Sequence, residues 1–156
     1  MRKIKFFTIL STVFLALAPM MLRAQSSPKP MSAPGMSNPW TDNDLIEPTA
    51  LAAIIKSGDK KPVILNIGSV EDIKGATHIG PASDVDNIDA LKKKVASFPK
   101  NTALVIYCGC CPFARCPNVR PAFAELKKLG YTNVKLLNLS TNLNTNWIAK
   151  GYPLAL

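Results

Sequence analysis

Apolar and polar positions alternate in blocks whose period changes along the chain. Over 45–58, "LIEPTALAAIIKSG" reads as a short extended piece and then a helix opened near Pro48 and stopped at Gly58. "KPVILNIGS" is a continuous apolar run of strand length that ends in turn residues. The following "VEDIKGATHIGPAS" has no sustained period and reads as loop with at most one helical turn. Ile88, Leu91, Val95 and Phe98 then share one helical face, with Asp86 or Asn87 available as cap. "NTALVIYC" is apolar on both parities, the pattern of a strand buried on two sides. Val119, Phe123, Leu126 and Leu129 form another helical stripe closed by Gly130. "TNVKLLNL" is a further strand, and Trp147 falls on a short terminal helix before "KGYPL". Helices alternating with buried strands predict an α/β fold with a mostly parallel sheet, in which ligands bind beyond the carboxyl ends of the strands.

The first 39 residues follow different rules. Residues 1–24 read as a signal peptide: a cationic start (Arg2, Lys3, Lys5), an apolar run from Phe6 to Leu22 broken by Pro19, and a cleavage-like site near Ala24/Gln25. A membrane anchor is the competing reading, disfavoured by that interruption and by the polar stretch that follows. Residues 25–39, "QSSPKPMSAPGMSNP", form a disordered Pro/Ser linker, and one domain spans 40–156. The expected location is periplasmic or secreted, with no stable membrane insertion after cleavage.

Charge changes the picture in one respect. Without Arg2, Lys3, Lys5 and Arg23 the net charge falls from +9 to +5. The remaining lysines are scattered, and no basic stripe with interleaved aromatics marks a nucleic-acid partner. Only two arginines then remain, Arg115 and Arg120, and both lie in or beside the segment that carries the cysteines. Arginine suits the grip on an oxyanion.

All four cysteines fall within "VIYCGCCPFARCPN", at 108, 110, 111 and 116, directly after the cleanest strand. Cys108 ends that strand. Amides at the start of the next helix, with Arg115 and Arg120, would favour a thiolate and an incoming anion together. Other chemistries compete. In an oxidising compartment Cys110 or Cys111 could bridge to Cys116, and Cys108-Gly109-Cys110-Cys111 is a C-x-x-C after a strand. Four soft ligands could hold zinc or Cu(I), although adjacent Cys110 and Cys111 sit awkwardly on one tetrahedral ion, so no metal and no other cofactor is expected. The single histidine, His78, is read as structural. A phosphatase loop fits poorly, because Cys108 and Arg115 miss its spacing and no general acid is evident.

The order of these elements resembles the rhodanese-like (sulfurtransferase) domain. "PVILNIGSVEDIKGATHIGPA" is similar to its first signature, "LVIYC" to its active-site strand, "AELKKLGYTNVKLLNL" to the helix and strand that follow, and "WIAKGYPL" to its terminal helix. The similarity spans Asp44 to Leu154. It implies a single domain with a central parallel five-stranded sheet flanked by helices on both faces. It also implies a persulfide mechanism, with Cys108 as nucleophile, Arg115 binding the anion, and Gly109, Phe113 and Arg120 in contact with substrate. The substrate would be a small sulfur-containing anion such as thiosulfate or a polysulfide, and the acceptor a thiol or another nucleophile. The family's cysteine–four residues–arginine spacing is met from Cys110 rather than Cys108, so Cys110 and Cys111 stand as alternative nucleophiles. Cys110, Cys111 and Cys116 are candidates for resolving or disulfide roles. Asn66-Ile67-Gly68 occupies the place of the family's Asp-x-Arg. Two other functions stay open at this point: thiol–disulfide exchange through the same loop, and a non-catalytic soft-metal-binding or interaction module.

Overall fold

A computed structural model describes residues 38–58 and 60–156. The stretch 1–24 read as a signal peptide and nearly all of the expected linker lie outside the described residues.

Five strands make one sheet: β1 (Leu45–Ile46), β2 (Val63–Asn66), β3 (Ala76–His78), β4 (Leu104–Tyr107) and β5 (Val134–Leu137). Their spatial order is β1-β5-β4-β2-β3 and every pairing is parallel. β4 is therefore central, with Leu65 opposite Ile106 on one side and Ile106 opposite Leu136 on the other. All four of its residues are buried, as expected of a strand covered on both faces.

Four helices supply the cover. Leu51, Ala52 and Ile55 of α1 (Pro48–Ser57), with Leu143 of α4 (Leu143–Asn146) and the following Trp147, pack on Ile64, Val105 and Tyr107. Leu91 and Val95 of α2 (Val85–Val95), with Val119, Phe123 and Leu126 of α3 (Val119–Lys128), pack on Leu65, Leu104 and Ile106. Successive strand residues face opposite sides, so the two cores divide β4 by parity. Leu104 and Ile106 point to α2 and α3, and the same count sends Cys108 to that side, where it joins their core.

The structure refines several expectations. The stretch 70–83 contains β3, an edge strand too short and too polar at His78 to show a period. The cap of α2 is Asp84, whose carboxylate accepts the Asp86 amide at 3.0 Å, rather than Asp86 or Asn87. Asp84 sits one residue before the helical residues and so offers its oxygen to a free amide of the first turn. The stripe residue Phe98 lies past the end of α2, and Cys108 lies one residue past β4. Trp40 is buried and meets Phe123 edge-on, with ring centroids 5.9 Å apart. Among the described residues no helix is long and apolar enough to cross a membrane.

Candidate active site

The segment 108–118 joins the end of β4 to the start of α3, and several bonds fix its path. Ile67 N–H donates to the Tyr107 carbonyl at 2.9 Å, which brings the next residue, Gly68, against Cys108. A Cβ at Gly68 would lie 2.5 Å from the Cys108 oxygen and 2.8 Å from its sulfur, so no side chain fits there. Gly109 has φ +80°, and a Cβ on it would lie 2.8 Å from Leu143 Cβ. The Gly109 carbonyl accepts the Leu143 amide at 2.8 Å, and the Phe113 amide donates to the Leu139 carbonyl at 3.1 Å. The loop is thus tied to the chain that leaves β5.

This course gathers three sulfurs. Sγ of Cys108, Cys110 and Cys116 all lie within 4.8 Å of one another, with Cys108 to Cys110 at 3.2 Å. Cys108 and Cys116 are buried, whereas Cys110 is exposed. Cys111 is half-buried, its sulfur 3.3 Å from that of Cys110. All four thiols are free in this structure. Cys108 and Cys110 lie at 3.2 Å, and Cys116, a bridge partner that the sequence suggests for Cys110 or Cys111, lies within 4.8 Å of both Cys108 and Cys110.

The electrostatics separate these thiols. The Cys116 thiol beside Cys108, then the Asn118 amide and the Cys110 backbone, hold the Cys108 pKa down to about 5 against the cost of burial. Asn118 Nδ2 donates to its sulfur at 3.1 Å. Cys110 is pushed up to about 12 by burial and by its sulfur neighbours. Cys116 is pushed up by its interaction with Cys108 and then by burial, against a smaller opposing effect of the Asn118 and Val119 backbone. Among Cys108, Cys110 and Cys116 the negative charge is favoured on Cys108, to which the Asn118 amide donates.

Asn118 is the functional-looking residue that sequence reading passed over. It precedes α3 in the cap position but makes no cap bond with its side chain. Its oxygen accepts the Ser83 amide at 2.8 Å and its nitrogen serves Cys108, so one buried amide links the loop before α2 to the cysteine cluster. The hint in the sequence was an asparagine directly after Cys116-Pro117, where a cap is expected.

Solved structures with this arrangement of strands and helices include a rhodanese-like domain of the Alr3790 protein from Anabaena sp. (19% identity over 72% of this chain and 78% of that one, TM-score 0.52). Another is the BH2092 protein from Bacillus halodurans (18% identity, 71% and 75%, TM-score 0.54). The fold is rhodanese-like. A third match is EanB bearing a cysteine persulfide, in a tetrahedral intermediate state with ergothioneine (22% identity, TM-score 0.53); it covers 71% of this chain and 27% of that larger protein. No family model and no curated protein sequence matches the chain.

Within this rhodanese-like frame the remaining candidates take distinct places. Arg115 ends a 3-10 turn, Phe113–Arg115, and is exposed, with no carboxylate paired to it among the described residues. Arg120 is engaged: Nη2 donates to the Ala114 carbonyl at 3.1 Å and the guanidinium lies 5.1 Å from the Trp40 ring centre. Phe113 packs on Trp40 too, with centroids 5.9 Å apart. Phe113 and Arg120 thus support the loop from beneath, and the Gly109 carbonyl is spent on Leu143. His78 Nδ1 lies 3.0 Å from Asp72 Oδ1 and 3.1 Å from Asn66 Nδ2. Buried Asn66 also donates to the Val70 carbonyl at 2.8 Å, so this trio braces the turn between β2 and β3. Exposed Cys110, with half-buried Cys111 beside it, is the cluster's face to solvent.

Proposed function

We propose that this chain is an exported sulfurtransferase that carries sulfane sulfur as a persulfide on Cys108. The observation that carries the reading is a buried cysteine just beyond the central strand of a rhodanese-like sheet, with the Asn118 amide donating to its sulfur at 3.1 Å and its pKa held down. The thiolate is the nucleophilic form of cysteine, and at neutral pH Cys108 is almost wholly in that form. It attacks the outer sulfur of a donor such as thiosulfate or a polysulfide, and the donor's remaining part leaves with the bonding pair. A thiol or other nucleophile then takes the sulfur from Cys108-S-SH and returns the thiolate. Arg115, exposed and paired with no carboxylate among the described residues, steers the anionic donor. Asn118 and the Cys116 thiol stabilise the Cys108 anion before attack and after release. Cys110 and Cys111 lie on the solvent side, where sulfur enters and leaves. The likeness to a persulfide-bearing EanB supports this chemistry at the level of fold, and the apolar, cationic start of the sequence supports export.

Intact-mass analysis after polysulfide treatment tests the reading. One added sulfur atom is expected on the Cys108 peptide and is lost in Cys108→Ser. Modification confined to Cys110 or Cys111 would move the nucleophile, and none anywhere would overturn the function.

A further inference from the structure

The sulfurs of Cys108, Cys110 and Cys116 meet from two directions. Cys108 and Cys110 flank Gly109, whose positive φ turns both side chains to one side, and Cys116 arrives from the start of α3. From this convergence we infer that Cys108, Cys110 and Cys116 form a three-sulfur binding site for a monovalent soft metal ion, Cu(I). The inference stands on sulfur geometry and does not depend on sulfur transfer.

An ion centred between three thiolates with bonds near 2.3 Å keeps its sulfurs roughly 4 Å apart. Here Cys108 and Cys110 are 3.2 Å apart and no pair in the trio exceeds 4.8 Å, so closure around an ion needs only small side-chain adjustments. The donor set identifies the ion. No histidine or carboxylate joins the trio among the described residues, which leaves a purely thiolate, three-coordinate site. Structural zinc is almost always four-coordinate, whereas soft sulfur ligands without a fourth partner suit Cu(I). Cys111 does not complete a tetrahedron: it follows Cys110 directly in sequence and stands outside the trio.

The surroundings fit anionic sulfur. Asn118 Nδ2 donates to Cys108 at 3.1 Å. Such outer donors orient metal ligands and offset the charge of a metal–thiolate group. Two ligands are buried and one is exposed, so Cys110 is the point of arrival and the other two close behind the ion. Binding is ligand exchange without redox change: copper enters as Cu(I), three S–Cu bonds form, and the remaining thiol protons pass to solvent.

The test is an anaerobic titration of the reduced full-length protein with Cu(I) against a coloured Cu(I) chelator, bathocuproine disulfonate, followed by X-ray absorption of the loaded protein. The expected result is one Cu(I) per chain with three sulfur neighbours, and a loss of affinity of roughly tenfold or more in both Cys110→Ser and Cys116→Ser. Cys116 is buried and its variant could fail to fold, so exposed Cys110 supplies the decisive variant, checked by circular dichroism. Failure to compete with the chelator, unchanged affinity in Cys110→Ser, or an equal loss in Cys111→Ser with four sulfur neighbours would each overturn the site. No sulfur donor is present in this titration, so its outcome is separate from that of the persulfidation assay.

Discussion

Asn118 Nδ2 lies 3.1 Å from Cys108 Sγ, a side-chain amide donating to a buried sulfur across ten residues of chain. A hydrogen bond to a charged group contributes about 1.5–3 kcal/mol, the equivalent of one to two pH units of acidity. Asn118→Ala should therefore raise the pH midpoint of Cys108 alkylation by about one unit. It should also lower stability by about 1–3 kcal/mol in urea unfolding, since the Ser83 amide loses its acceptor. An unmoved midpoint would mean that the bond does not tune the sulfur.

Ionisation of the cluster sets a pH profile. Alkylation at Cys108, followed by peptide mass, should hold its rate from neutral pH down to near pH 5 and then fall. Cys110, although exposed, should react slowly until strongly alkaline pH. Stability should follow both groups. The folded Cys108 pKa is below the ordinary thiol value of about 8.5, so between about 5 and 8.5 the unfolded chain binds the extra proton and stability rises with pH. The contribution is lost as pH falls through 5. Cys110 and Cys116 act in the opposite sense: above about 8.5 the folded chain keeps protons that the unfolded chain has released, and stability falls. Urea midpoints measured from pH 5 to 10 should pass through a maximum near 8 to 9. Replacing Cys108 by Ser should remove the rising limb.

Gly68→Ala is predicted to damage the site without touching a charged group. The new methyl would stand 2.5 Å from the Cys108 carbonyl oxygen, and backbone yields less readily than a flexible side chain. A loss of about 1–3 kcal/mol in unfolding free energy is expected, together with faster alkylation of Cys108 as the loop is pushed outward. Wild-type reactivity and stability together would show that the contact is not tight in solution.

The two arginines should behave differently. Arg115→Ala should slow persulfide formation from anionic donors at low salt while leaving the melting temperature in place. Arg120→Ala removes the bond to Ala114 and the contact over Trp40, and should cost about 1–2 kcal/mol of stability. Comparing donor-dependent rates with thermal melts separates the roles. A melting loss in Arg115→Ala would place it in the scaffold.

What could be read from sequence was whatever a period or a punctuating residue announces. β4 and α3 are long apolar patterns with clear ends, and Pro48 and Gly58 bracket α1. β3 was missed because three edge residues, only partly buried, leave no alternation to detect. In the site, the cysteine positions gave the cluster and its place past the strand, but not the split between buried Cys108 and Cys116 and exposed Cys110. That split depends on how 109–117 folds back onto Leu139 and Leu143, contacts too distant in the chain for spacing to reveal. Asn118 could not be read either, because nothing local says that its amide turns away from its own helix to a sulfur. The stacking of Arg120 over Trp40, eighty residues earlier in the chain, is likewise beyond what spacing can show.

The odd–even count along β4 has a consequence for how this molecule can change. Substitutions at exposed loop positions such as Pro112 and Arg115 would leave the sulfur at 108 under α3. Adding or deleting one residue between Leu104 and Cys108 would instead turn that sulfur toward Leu51 and Trp147, a hydrocarbon wall with no amide to receive it. The reactivity of the cluster is thus protected by integer arithmetic in the strand. It should tolerate substitutions at those exposed positions far better than a single-residue slip beneath it.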